Sequence, residues 1–327
     1  MPQPTGPAHR SPRTGRAAGA VATACTALAL LAVTPAVAVA PPLSDPRIVV
    51  HFDLAQGQQP ENIALEPDGS ADLTLSFARQ IGRVDTDGHL TVLATLPAPD
   101  HPATPLIGAA VVTGIARAHD GTLYFGYATG TEDLQGIWRL CPGGAPERIA
   151  ALPVTGLPNG LALDERENRL YAADSALGVV HAVPTDGGTA TTWSDDALLK
   201  PTAAFGANGL KVHDHAVWVS NTDTGDLLRL PIGDGGTAGP AEVRASGLPG
   251  IDDFAFTGRG DAVIAAVNGS SEAAYVAADG SHHTVLTAAD GLSNPTSVAV
   301  RGGTVYVPSA AYFTRADPNL LLADLRR

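Results

Sequence analysis

Two acids and two amides recur at one point of a repeating unit: Glu61 in PENIAL, Asn159 in PNGLAL, Asn208 in ANGLKV and Asp252 in IDDFAF. Each stands just before a short apolar alternation. Brought together, two carboxylates and two amide carbonyls form a hard, oxygen-only donor set. Such a set suits Ca²⁺, with waters completing six to eight ligands, and other divalent cations are the alternative. Without a cation the two carboxylates would repel each other and resist burial. Beside a cation that polarises a carbonyl or phosphoryl oxygen, Asp252 could also accept a proton from an attacking water. Glu61 reads as a ligand only, and Asn159 as a ligand that also reaches substrate. Taken singly, Asn-Gly and Asp-Asp are also ordinary turn residues at strand entries. Four oxygen donors in one register point instead to a shared site.

The register comes from the elements that carry it. The aligned position is filled by Glu61, Thr113, Asn159, Asn208, Asp252 and Thr296, at intervals of 52, 46, 49, 44 and 44 residues. Each unit reads as two strands around a tight turn (DG in AHDGTLYF, GRG in TGRGDAV, RGG in VRGGTVY) followed by weaker alternations such as VVHAVPTDGGTATTW. Four strands per unit at this period are the signature of a β-propeller blade. The fold class is therefore all-β, a six-bladed propeller of four-stranded blades; a pair of packed sandwiches predicts no such recurrence. In a propeller the first strand of each blade lines the central channel, so the aligned position becomes a ring. Second strands return to the same rim. There Asp174 and Asn221 are expected to orient Asn159 and Asn208, and Thr113, Thr296 and Asn268 to help wall the pocket. Either NLLLADLRR at the end or RIVVHFDL from Arg47 is expected to close the ring.

Composition agrees. The chain of 327 residues has 36 Gly and 26 Pro, with 44% hydrophobic residues, which favours many short strands over long helices and excludes global disorder. A net charge of -13 with only two lysines, Lys200 and Lys211, argues against a nucleic-acid partner. Met1 to Ala40 holds three arginines, no acid, and an uncharged Ala-rich run from Ala17, so it reads as a signal peptide cleaved near residues 38–40. An uncleaved membrane anchor is the runner-up and lipidation at Cys25 a third reading. Residues 41–327 are then a single secreted domain, with 17 basic and 33 acidic residues. Cys141 has no partner within it, so the fold depends on its core, on a bound ion, or on both. The His213-Asp214-His215 run looks like a metal or acid–base cluster. However, His213 lies five residues from Asn208, about 16 Å along a strand, in the turn slot of the opposite rim. No G-x-S-x-G elbow or P-loop is present.

The six units, with Glu, Asn, Asn and Asp in blades one, three, four and five, resemble the gluconolactonase, regucalcin and diisopropyl-fluorophosphatase superfamily over residues 48–315. The resemblance implies a bound Ca²⁺ held by Glu61, Asn159, Asn208 and Asp252, hydrolysis of lactones or related esters, and a small-molecule substrate. A monomer without membrane or nucleic-acid partners is expected. Two departures bear on substrate. Sugar-lactonase members carry an Arg shortly before the third-blade Asn, where this chain has Leu157 and Pro158. Fluorophosphatase-like members carry a His near the sixth-blade rim, where Thr296 stands. A non-catalytic binding propeller, or lyase or cyclising chemistry as in strictosidine-synthase-like relatives, are the other readings.

Overall fold

Twenty-four strands in six four-stranded antiparallel sheets make up the computed structural model, which describes residues 42–326. The expected signal segment, its cleavage point and Cys25 lie outside the described residues. Blade 1 comprises β2 (Pro60–Leu65), β3 (Ala71–Leu75), β4 (Gln80–Val84) and β5 (Leu90–Thr95), after β1 (Leu43–His51). Blade 2 comprises β6 (Val111–Arg117), β7 (Leu123–Ala128), β8 (Gly136–Leu140) and β9 (Glu147–Ala151). Blade 3 holds β10 (Pro158–Asp164), β11 (Arg169–Asp174), β12 (Val179–Pro184) and β13 (Thr191–Ser194). Blade 4 holds β14 (Ala207–His213), β15 (Ala216–Asn221), β16 (Asp226–Pro231) and β17 (Glu242–Ala245). Blade 5 holds β18 (Ile251–Phe256), β19 (Val263–Val267), β20 (Glu272–Val276) and β21 (His282–Leu286). Blade 6 pairs β22 (Ala299–Arg301), β23 (Thr304–Ser309) and β24 (Asn319–Leu325) with β1 as its outer strand. Both segments offered for closure are used, one as third strand and one as fourth.

The core is a set of interfaces between blades. Strand side chains alternate faces, so each blade has two apolar sides and gives one to each neighbour. In β15, Val217 and Val219 pack toward blade 3, while Ala216 and Trp218 pack toward blade 5. In β7, Phe125 joins blade 1 and Tyr124 joins blade 3. Blades 5 and 6 meet through Ile264, Val305 and Leu321, and blades 6 and 1 through Tyr306, Leu320 and Ile63. Six such seams hold the ring without a crosslink, and Cys141 is free and exposed. No helix among the described residues is long and apolar enough to cross a membrane.

Candidate metal centre

The first strands of blades 1 to 5 are irregular at the aligned position. In β10, Pro158 pairs with Asp174 and Leu161 with Ala172, so Asn159 and Gly160 together oppose one residue of β11. The same bulge places Asn208 with Gly209 in β14, Asp252 with Asp253 in β18, and Thr113 with Gly114 in β6. In β2 the extra residue is Glu61. A bulge re-aims side chains that a regular strand would send to opposite faces. It turns the aligned residues, and the residues after them, toward the axis.

The glycines that follow Thr113, Asn159 and Asn208 serve this ring and not a turn. A Cβ on Gly114 would strike the backbone carbonyl of Asn159, and one on Gly160 that of Asn208. A Cβ on Gly209 would strike Asp253. Each blade's strand is thus pressed against the next, which brings the donors together. Glu61, Asn159, Asn208 and Asp252 keep 5–9% of their surface exposed, so solvent reaches a well that is otherwise enclosed.

A relay that passes between blades orients the two amides. Asn159 Nδ2 donates to Ser175 Oγ at 3.2 Å, and Ser175 Oγ donates to the carbonyl of Ala207 at 2.8 Å. One blade on, Asn208 Nδ2 donates to Thr222 Oγ1 at 2.8 Å, and Thr222 Oγ1 to the carbonyl of Ile251 at 2.8 Å. With Nδ2 held, Oδ1 is the atom each amide has free as a ligand. Glu61 Oε2 accepts a hydrogen bond from the Tyr312 hydroxyl, on the loop between β23 and β24. Burial pushes the Glu61 carboxyl up to about 7, against the Tyr312 hydrogen bond and with help from the Asp253 charge. Asp252 is driven well above the usual carboxylate range by burial first, then by Glu61 and Asp253, while Asn208 and Asn268 favour its charged form.

Directly beneath lies a second layer. Asp253, 1% exposed, accepts from Asn62 Nδ2 of blade 1 at 3.1 Å and Ser297 Oγ of blade 6 at 2.6 Å. Lys211 Nζ of blade 4 reaches its two carboxylate oxygens at 2.7 and 2.6 Å. Three acids, Glu61, Asp252 and Asp253, therefore share one ammonium. Among the described residues no cationic side chain pairs with Glu61 or Asp252. The well is short by two positive charges and offers two amide oxygens beside two carboxylates. This donor set fits a divalent cation of the oxygen-preferring kind.

Other expected positions fall elsewhere. Asp174 does not orient Asn159: its Oδ1 accepts from the backbone amides of Leu157, Ala176 and Leu177, and its Oδ2 lies 3.6 Å from His181 Nε2. Asn221 is likewise spent on loop backbone, donating to the carbonyls of Leu198 and Lys200. Both residues end their strands one position too early, and the orienting hydroxyls, Ser175 and Thr222, follow them. Thr113 turns its hydroxyl onto Gly126, where it has no hydrogen-bond partner. Thr296 donates to the carbonyl of Pro60 at 2.8 Å and so ties blade 6 to blade 1. Asn268, at the Ser175 position of blade 5, donates to the Pro295 carbonyl at 3.2 Å and lies beside Asp252. His213 stacks on Phe256 at 3.8 Å beside a concavity of about 1180 Å³ at the opposite rim, away from the donors. Asp85, Asp87 and His89 also cluster, but they are exposed in the β4–β5 turn, where Asp85 Oδ1 accepts from the backbone amides of Asp87 and His89.

Sequence reasoning missed Ser175, Thr222, Asp253, Lys211 and Tyr312. The first two occupy one register, directly after the second strand, and were visible to alignment. Asp253 stood in the doubled acid of IDDFAF. Tyr312 belongs to a loop with no counterpart in other blades, so no repeat could mark it.

No protein-family model and no curated protein matches the chain. Solved structures do. A gluconolactonase from Xanthomonas campestris is 17% identical, with a TM-score of 0.62 over 88% of this chain and 96% of its own. The PQQ-bound aldose sugar dehydrogenase of Streptomyces coelicolor is 18% identical, with a TM-score of 0.59 over 86% and 99%. A virginiamycin B lyase from Staphylococcus aureus is 15% identical, with a TM-score of 0.57 over 86% and 99%. Three chemistries on one architecture show that these likenesses speak for fold. The chain is a six-bladed propeller and shares the fold of the gluconolactonase structure.

Proposed function

We propose that the chain is a secreted, calcium-dependent hydrolase of lactones or related esters. The observation that supports this reading most is the buried pair Glu61 and Asp252, uncompensated by any side-chain cation among the described residues and flanked by two amides with their nitrogens already committed. A bound divalent cation would supply Lewis-acid polarisation of the substrate carbonyl. The chain's own groups do the rest. Glu61, held by Tyr312, stays in place as a ligand. Asp252 accepts the proton of the attacking water. Burial and the neighbouring acids raise its proton affinity above that of a free carboxylate, which a base needs, while ligation lowers it again, which favours activated substrates over amides. Asn159 and Asn208, fixed by Ser175 and Thr222, orient without rearrangement.

Metal analysis of the purified protein tests the reading, followed by rates on lactone, aryl-ester and phosphotriester panels with and without chelator. The expected result is one calcium per chain and chelator-sensitive lactone or ester hydrolysis. No bound divalent cation, together with stability indifferent to chelator, would overturn it. The virginiamycin B lyase neighbour favours one second reading, elimination on the same site. Turnover in H₂¹⁸O separates the two: hydrolysis puts the label in the acid product, elimination leaves it unlabelled and creates a double bond.

A further inference from the structure

Lys211 is unused by the proposed chemistry, although its half-buried side chain lies against the site. It sits three residues along β14 from Asn208, about 10 Å further into the channel, and its ammonium turns back to the Asp253 layer. Its side chain is 25% exposed and lies over the Phe254 ring at 5.7 Å. Asp253 is reached from blades 1, 4 and 6 at once, which places its carboxylate on the axis. An ammonium there lies beneath the ligand ring and offsets one of the three negative charges of the well.

We propose that Lys211 is the charge-setting residue of the well: by neutralising Asp253 it leaves two uncompensated negative charges and so matches the site to a divalent cation. This rests on the cation reading above. Two observations carry it. The three acids and one ammonium are packed into two consecutive layers on three first strands, β2, β14 and β18, with no other cation in reach among the described residues. Secondly, the ammonium meets both carboxylate oxygens of Asp253, itself 1% exposed, so solvent screens this contact less than it would a surface pair. A structural lysine at the surface would have neither property.

The consequence is selectivity by charge. A positive charge in the well opposes a trivalent ion more than a divalent one of similar size. Removing it should therefore shift preference toward Tb³⁺, whose size and oxygen preference resemble those of Ca²⁺. The test measures the ratio of Tb³⁺ to Ca²⁺ affinity by terbium luminescence and competition in four full-length proteins. Relative to wild type, Lys211→Met should raise the ratio about tenfold or more, because three charges are then uncompensated. Asp253→Asn, with one, should lower it by a similar factor. The double variant Lys211→Met/Asp253→Asn restores two and should return the ratio to within about threefold of wild type. The double variant adds no unpaired buried charge to those of wild type, so it and Asp253→Asn keep the test alive if Lys211→Met does not fold. A ratio that ignores the charge count, or that falls in Lys211→Met, overturns the role of Lys211. If wild type binds neither ion, the cation site itself is refuted instead.

Discussion

Replacing Glu61 by Gln should make the cation-free protein more stable and the calcium-loaded protein less so. The unfolded carboxyl titrates at 4.5 and the folded one at about 7. Between these values the folded chain keeps a proton that the unfolded chain has released, so stability falls as pH rises. Above pH 7 the whole penalty is present. At about 1.4 kcal/mol per pH unit it amounts to about 3 kcal/mol. Gln has nearly the same volume and can still accept from Tyr312, but it has no charge to bury. A domain of this size unfolds with an entropy of about 0.6 kcal/mol/K, so Glu61→Gln should raise Tm by about 5 °C at pH 8 in chelator. At pH 5 the gain should shrink to about 1 °C. Relief of the Glu61–Asp252 repulsion works in the same direction. Calcium should invert the order once it reaches about 1,000 times its Kd, where binding would stabilise wild type by about 4.1 kcal/mol and the variant by little of this, more than offsetting the variant's gain of about 3 kcal/mol. Differential scanning calorimetry at two pH values, with chelator and with calcium, reads all four numbers. A variant no more stable than wild type at pH 8 in chelator, or one that keeps full stabilisation by calcium, would refute the reasoning.

Other outcomes follow from the same geometry. Ser175→Ala and Thr222→Ala should each weaken calcium binding about tenfold to a hundredfold by titration calorimetry, since each frees an amide to rotate; Asp174→Asn should disturb stability more than affinity. Calcium affinity should fall at least tenfold per pH unit below pH 7, because Glu61 and Asp252 must both give up their protons on binding. In Tyr312→Phe that fall should begin at higher pH, as the hydrogen bond that favours the Glu61 carboxylate is gone. Gly160→Ala should cost about 2–4 kcal/mol in urea unfolding, because its methyl meets the Asn208 carbonyl of the next blade; an unchanged midpoint would contradict the close packing of the ring.

The repeat in the sequence determined the architecture: six alternations at one period specify six equivalent sheets, and each alternation assigns its apolar residues to a neighbour. It also marked Glu61, Asn159, Asn208 and Asp252, because residues in one register of a closed ring must share one end of the channel. Local pattern could not show that the first strands bulge at those positions. Alternation sends Asp252 and Asp253 to opposite faces, and the bulge sends both toward the axis, so the second acid and its partner Lys211 were hidden. For the same reason Asn-Gly looked like turn chemistry, when the glycine is required by the neighbouring blade's backbone. Orientation was tertiary throughout. Ser175 and Thr222 take their meaning from carbonyls a blade away, and Tyr312 reaches Glu61 across 251 residues of chain. Sequence periodicity records which residues are equivalent; only the closed ring decides which of them touch.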